Sequence, residues 1–347
     1  MEEENEASAR QVARWLFVCA FFIAVMVVVG GLTRLTGSGL SITEWDLVMG
    51  TLPPMNDGQW EEVFAQYQKS PEYRLVNAGM SMAEFQSIFW WEYVHRLIGR
   101  TVGFVFLLPF LYFVIRRKVR GAQVWKLLVL FVLGGLQGVL GWYMVKSGLV
   151  KDPHVSHFRL TAHLSLAFLL FGATLWQALH FRDGCPRKVE EGPFRRASIA
   201  LLFLVMFQVA LGAMVAGLKA GYMFNTFPKM GEYWVPPGMG HSVLMNGIAI
   251  QFIHRVTAYL VLMAIGVMWW QSRRVSLNLR QRRGFEFLLL VVMIQFVLGV
   301  FTLIFYVPVS LATLHQFGAL VLLGGCVYVC HVLRFSPQHE RSCESLA

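Results

Sequence analysis

Eight long apolar runs constrain this chain more than any other feature. They lie at about 15–33, 92–115, 124–145, 158–180, 197–218, 247–270, 285–307 and 311–333. About 20 apolar residues cross a bilayer as a helix. Lipid offers no partners for backbone amides, and a helix bonds its own. Only 14% of the 347 residues are charged, against about a quarter in soluble domains. The expected fold is an all-α, polytopic membrane protein with eight transmembrane helices.

Lys and Arg set the orientation of such a chain. They crowd one set of short connections, including Arg116 to Lys118, Arg195, Arg196, Arg273, Arg274 and Arg280 to Arg283. The opposite set carries fewer, among them Arg34, Lys69, Arg74, Lys146, Lys151, Lys219 and Lys229. Both termini are therefore expected on the cytoplasmic side. Topology accounts for most of the net charge of +10, so no nucleic-acid partner is implied. Arg34 and Lys219 lie just past the outer ends of spans 1 and 5, where snorkelling to the interface is expected.

The expected organisation is a cytoplasmic segment 1–14, a four-helix unit 15–180, a second unit 197–333 and a cytoplasmic tail 334–347. The first segment is acidic, unlike a mitochondrial transit peptide, and too polar for a cleaved signal, so span 1 reads as an uncleaved anchor. An outer loop over 34–91 holds aromatic stretches that suggest amphipathic helices, serving either as a cap over a site or as an interfacial anchor. Cys19, Cys326 and Cys330 fall inside apolar runs and read as small buried hydrophobes. With Cys185 and Cys343 they form neither a disulfide framework nor a zinc pattern.

The halves repeat. Glu92-Tyr93-Val94-His95-Arg96 matches Gln251-Phe252-Ile253-His254-Arg255. Leu136-Gln137-Gly138-Val139-Leu140-Gly141 matches Ile294-Gln295-Phe296-Val297-Leu298-Gly299. His163 and His315 each lie early in spans 4 and 8. This predicts two pseudo-symmetric four-helix bundles about an axis along the membrane normal.

Ionisable residues inside a bilayer are costly and mark function. A lone histidine would read as an interhelical hydrogen bonder. Here four form two equivalent pairs, His95 with His163 and His254 with His315, each at one depth. Zinc wants three or four ligands, and copper tends to add sulfur. Two histidines on opposite helices suit haem iron, with apolar helices packed on the ring. Gly99, Gly103, Gly134, Gly138 and Gly141 fit either a flat ring or close helix packing. His154, His157 and His241 on the outer side, and His180, His331 and His339 on the inner, read as solvated or interfacial.

Glu92 lies one turn before His95, and its counterpart is Gln251. A carboxylate beside a haem can relay protons; an amide cannot titrate. The first half is therefore expected to react, the second to transfer electrons or serve structure. Alternatively, Glu92 pairs with Arg96 or Arg34. Arg96 and Arg255 are suited to haem propionates or carboxylates, and Arg100, a turn deeper, also needs a partner.

The Glu-x-x-His-Arg of span 2, the repeated histidines and the long first outer loop resemble the haem A synthase family. So do two longer stretches, Gly30-Gly31-Leu32-Thr33-Arg34-Leu35-Thr36-Gly37-Ser38-Gly39-Leu40-Ser41 and Gly141-Trp142-Tyr143-Met144-Val145-Lys146-Ser147-Gly148-Leu149. The outer loops lack cysteine, as in the proteobacterial and mitochondrial type. The resemblance implies oxidation of a ring methyl of haem O to a formyl group by successive hydroxylations, giving haem A for terminal oxidases. It implies His95 and His163 around the substrate, Glu92 assisting proton transfer, and His254 and His315 on a permanent haem b. It further implies, as partners, haem O synthase and oxidase assembly factors; the acidic N-terminus favours the bacterial version and so an inner-membrane location, while a homo-oligomer stays open. The electron donor or acceptor stays open.

Two rivals share this physics. A cytochrome b-like carrier oxidising quinol would hold two permanent haems. A transporter would place its site nearer the midplane, at broken helices.

Overall fold

A computed structural model describes residues 2–43, 52–149, 155–184, 194–240 and 242–334. Ten α-helices follow in order: α1 (Glu2–Leu35), α2 (Asp57–Gln68), α3 (Pro71–Leu75), α4 (Met82–Ile115), α5 (Ala122–Gly148), α6 (His157–Arg182), α7 (Arg195–Gly217), α8 (Gly247–Ser272), α9 (Leu279–Ile304) and α10 (Val309–Arg334). All except α2 and α3 are long and apolar enough to cross a membrane. No strand forms among the described residues. His154, His241, His339, Cys185, Cys343 and the tail past Arg334 lie outside them.

Two helices outrun their apolar runs. The polar segment before residue 15 is not separate: it is the first part of α1. α4 begins at Met82, where Ser81 and Glu84 form a reciprocal capping box. At 1.5 Å per residue its 34 residues reach about 51 Å, beyond the roughly 30 Å of a bilayer core. The surplus projects outward and carries α2 and α3. Asn56 caps α2 and Ser70 caps α3.

α4 packs against α1 and α5, and α6 against α5 and α1, closing one four-helix ring. α7, α8, α9 and α10 close a second in the same order. α6 and α10 meet between the rings, flanked by α6 on α7 and α1 on α10. That arrangement is the two-fold the repeat predicts. One apolar core runs through the second ring and into the boundary, from Val205, Ile265, Phe285 and Leu323 to Phe168 of α6. Another fills the inner half of the first ring around Leu16, Phe106, Phe110 and Leu127.

Candidate functional site

Each of the four histidines points into its own ring, and a glycine on the neighbouring helix makes the room. A Cβ on Gly30 of α1 would stand 2.9 Å from His95 Nε2, and one on Gly141 of α5 would stand 3.0 Å from His163 Cε1. The second ring repeats this: Gly212 of α7 would meet His254 at 3.2 Å, and Gly299 of α9 would meet His315 at 2.8 Å. Glutamines fix the helices around them. Gln137 donates to the His163 carbonyl at 3.0 Å, Gln295 to the His315 carbonyl at 2.9 Å and Gln208 to the His254 carbonyl at 3.0 Å.

His163, His254 and His315 each keep a buried ring nitrogen without a hydrogen-bond partner. In all three it is Nδ1, so the Nε2 through which imidazole binds haem iron is the atom left for coordination. Among the described residues no three His, Cys, Asp or Glu side chains converge as a metal site would require. The donor set of each ring, two imidazoles among apolar helices, therefore fits haem and does not fit zinc.

Glu92 is 2% exposed and firmly held. Its Oε1 accepts from Arg96 Nε at 3.1 Å and Nη2 at 2.6 Å. Its Oε2 accepts from the Ser41 hydroxyl at 2.7 Å and the Ile42 amide at 2.8 Å. Arg96 also donates to the Ile42 carbonyl at 2.8 Å. Of the partners expected for Glu92, Arg96 is the one it takes, and the pair binds the chain after α1 onto α4. The second ring does the same without a carboxylate. Gln251 donates to the Phe224 carbonyl at 3.0 Å, and Arg255 to the carbonyls of Phe224 at 2.7 Å and Thr226 at 2.8 Å. Arg255 thus binds backbone oxygens of the second outer loop.

Other expectations need correction. Arg34 does not snorkel: its guanidinium donates to the Ala216 carbonyl at the end of α7. Lys219 is exposed, as expected. His331 is fully buried, not interfacial, with Nδ1 3.7 Å from Asp183 Oδ2. His157 is nearly buried and reaches the Leu244 carbonyl at 3.1 Å, because α6 presses it onto Gly217.

Sequence reasoning singled out the histidines and Glu92 but missed the roles of Gly30, Gly212, Gln208, Ser41 and Ile42. The 30–41 stretch held the signal. Gly30 gives room to His95, Gly31 lies against Gln316, Arg34 crosses to the other ring, and Ser41 holds Glu92. The 141–149 stretch returns to it, since a Cβ on Gly148 would stand 3.0 Å from Leu40.

Residues 13–327 match the family of cytochrome oxidase assembly proteins designated COX15-CtaA. Curated relatives carrying the name heme A synthase align with nearly the whole chain. One from Parvibaculum lavamentivorans is 44% identical over 337 residues, covering 95% of this chain and 96% of its own length. One from Nitrosospira multiformis is 43% identical, covering 96% of each. One from Caulobacter sp. strain K31 is 46% identical, covering 91% of this chain and 94% of its own.

Proposed function

The chain belongs to the COX15-CtaA family of cytochrome oxidase assembly proteins, and from that premise we propose how its two rings divide the work of a haem A synthase. The enzyme oxidises the ring methyl of haem O to the formyl of haem A, for use by terminal oxidases. The first ring is the reaction chamber, where His95 and His163 would hold haem O near Glu92. In the second ring, His254 and His315 would hold a permanent haem b, which would supply a one-electron redox centre.

Within the first ring, Arg96 and the Ile42 amide hold the Glu92 carboxylate one turn from His95. The Ser41 hydroxyl at 2.7 Å is its route for exchanging a proton with the outer loop. Gly30 and Gly141 keep both imidazoles turned inward. The surrounding apolar helices exclude bulk water, so protons arrive and leave through named groups. The observation that carries the division is Glu92 against Gln251 at matched positions on α4 and α8: only the first ring has a titratable group there. The multi-pass chain sits in a bacterial inner membrane with both termini cytoplasmic, from its Lys and Arg bias.

Haem typing of the purified protein tests this reading. Expression with a haem O source should yield haem O or haem A beside haem B, and expression without one should leave haem B alone. Haem B as the sole pigment in both cases would replace the synthase with a cytochrome b-like carrier.

A further inference from the structure

The two rings differ in the wall between their second and third spanning helices. In the first ring, Cβ atoms added to Gly103 of α4, or to Gly134, Gly135 and Gly138 of α5, would meet nothing within 4 Å. All four glycines are exposed. Phe106 and Phe131 stack at 6.0 Å about one turn further inward and close the cleft on that side. Outward of that stack, α4 and α5 pack only loosely, and these glycines leave open space beside them.

The repeat supplies an internal control. Counting from the matched histidines, Gly103 corresponds to Leu262 and Arg100 to Tyr259. Counting from the matched glutamines, Gly134 corresponds to Val292 and Gly138 to Phe296. Val292 is 3% exposed, and Leu262 packs against the main core. Phe296 lies 5.2 Å from Tyr259 and 6.1 Å from Phe227, ring centre to ring centre, so an aromatic plug bridges α8, α9 and the second outer loop. α8 and α9 accordingly pack more closely than α4 and α5 do.

From this asymmetry we infer that the α4–α5 cleft is a lateral portal through which haem O enters the first ring from the bilayer and haem A returns to it. This rests on the assignment of haem O to the first ring. A synthase must exchange one haem at every turnover and keep the other, and the open and plugged walls match those two demands. A flat, largely apolar macrocycle partitions into lipid rather than water. An opening at membrane depth spares it a passage through the aqueous phase. Glycine leaves the wall open because no side chain projects from these positions.

The test uses full-length protein in lipid nanodiscs, made without a haem O source, with haem O added and its Soret absorbance followed in time. Gly135→Trp, at the lipid-facing rim, should slow uptake about tenfold, as a barrier higher by about 1.4 kcal/mol would, yet reach the parent's final spectrum. Gly138→Phe should block uptake and retain the haem b of the second ring as evidence of folding; if it loses that haem, Gly135→Trp carries the test. Phe296→Gly should let the second-ring haem exchange with isotopically labelled haem B. Uptake by Gly135→Trp at the parent rate overturns the portal. Undiminished haem retention by Phe296→Gly overturns the plug. Failure of the underlying assignment looks different: the parent itself would take up no haem O, or His95→Ala would take it up unchanged.

Discussion

At the residue scale, the four glycine–imidazole contacts make the sharpest demands. A methyl group at Gly30, Gly141 or Gly299 would come within about 3 Å of an imidazole atom, so the ring must turn or the helices part. Overpacking of this kind costs about 1–3 kcal/mol. Gly30→Ala and Gly141→Ala should therefore weaken haem in the first ring, and Gly299→Ala in the second. Gly212→Ala, with 3.2 Å to spare, should be the mildest. Reduced-minus-oxidised spectra of each variant check this order; equal spectra in all four would refute it. Glu92→Gln keeps the side-chain volume but loses the ion pair with Arg96. It should lower turnover by about a hundredfold or more, the scale of a general acid–base contribution, with haem b in the second ring unchanged; product analysis by chromatography reads it. The histidines were legible in the sequence because an intramembrane imidazole stands out against apolar neighbours. Their glycine partners were not, because a glycine in a spanning helix looks alike whether it faces a ligand, a helix or lipid.

At the element scale, α4 carries a second small core outside the membrane. Trp60, Phe64, Tyr67 and Tyr73 of α2 and α3 pack on Phe85, Phe89 and Tyr93 of α4. The aromatic stretches of the first outer loop were legible as helices, but their partner was not. The apolar run suggested that span 2 starts at residue 92, whereas the Ser81–Glu84 cap and this packing start the helix at Met82. Inside this small core, Glu72 accepts from the Tyr67 hydroxyl at 3.2 Å, and Asn77 donates to that hydroxyl at 2.7 Å. Burial pushes the Glu72 carboxyl up to about 7, with the charge of Glu92 adding to it and the Tyr67 hydrogen bond opposing. The folded cap thus holds its proton more tightly than the unfolded chain. Its stabilising contribution is full below the ordinary carboxylate range and is lost as pH rises through about 7. Amide exchange across α2 and α3, corrected for the intrinsic pH effect, should accelerate between about pH 6 and about pH 8 in the parent. Glu72→Gln should flatten that dependence, and an equally steep profile in the variant would assign the effect to another group.

At the scale of the whole molecule, the rings are joined at both ends by polar contacts that no sequence periodicity announces. At the end that carries α2 and α3, Arg34 of α1 reaches the Ala216 carbonyl of α7, and Gln316 of α10 donates to the Val27 carbonyl of α1 at 2.7 Å. At the opposite end, Asp183 after α6 accepts from Arg182 at 2.9 Å and from Arg280 of α9 at 3.0 Å, beside His331 of α10. Burial pushes the Asp183 carboxyl up, but the hydrogen bonds and charges of the two arginines outweigh it and hold it below its ordinary value. The repeat revealed that there are two rings; it could not reveal their seam, because Asp183 and Arg280 lie far apart in sequence and meet only after both rings have formed. If these contacts couple the rings, cutting one end should let them unfold separately. Hydrogen bonds to charged groups contribute about 1.5–3 kcal/mol when buried, and Arg280 is a third exposed, so Asp183→Ala should cost about 1–2 kcal/mol after screening. The parent should release its haems in one thermal transition, and Asp183→Ala should split it in two at lower temperature. Arg280→Ala should give the same split, and the double variant little more, since both remove one contact. A single unshifted transition in Asp183→Ala would mean that apolar packing of α6 on α10 alone holds the rings together.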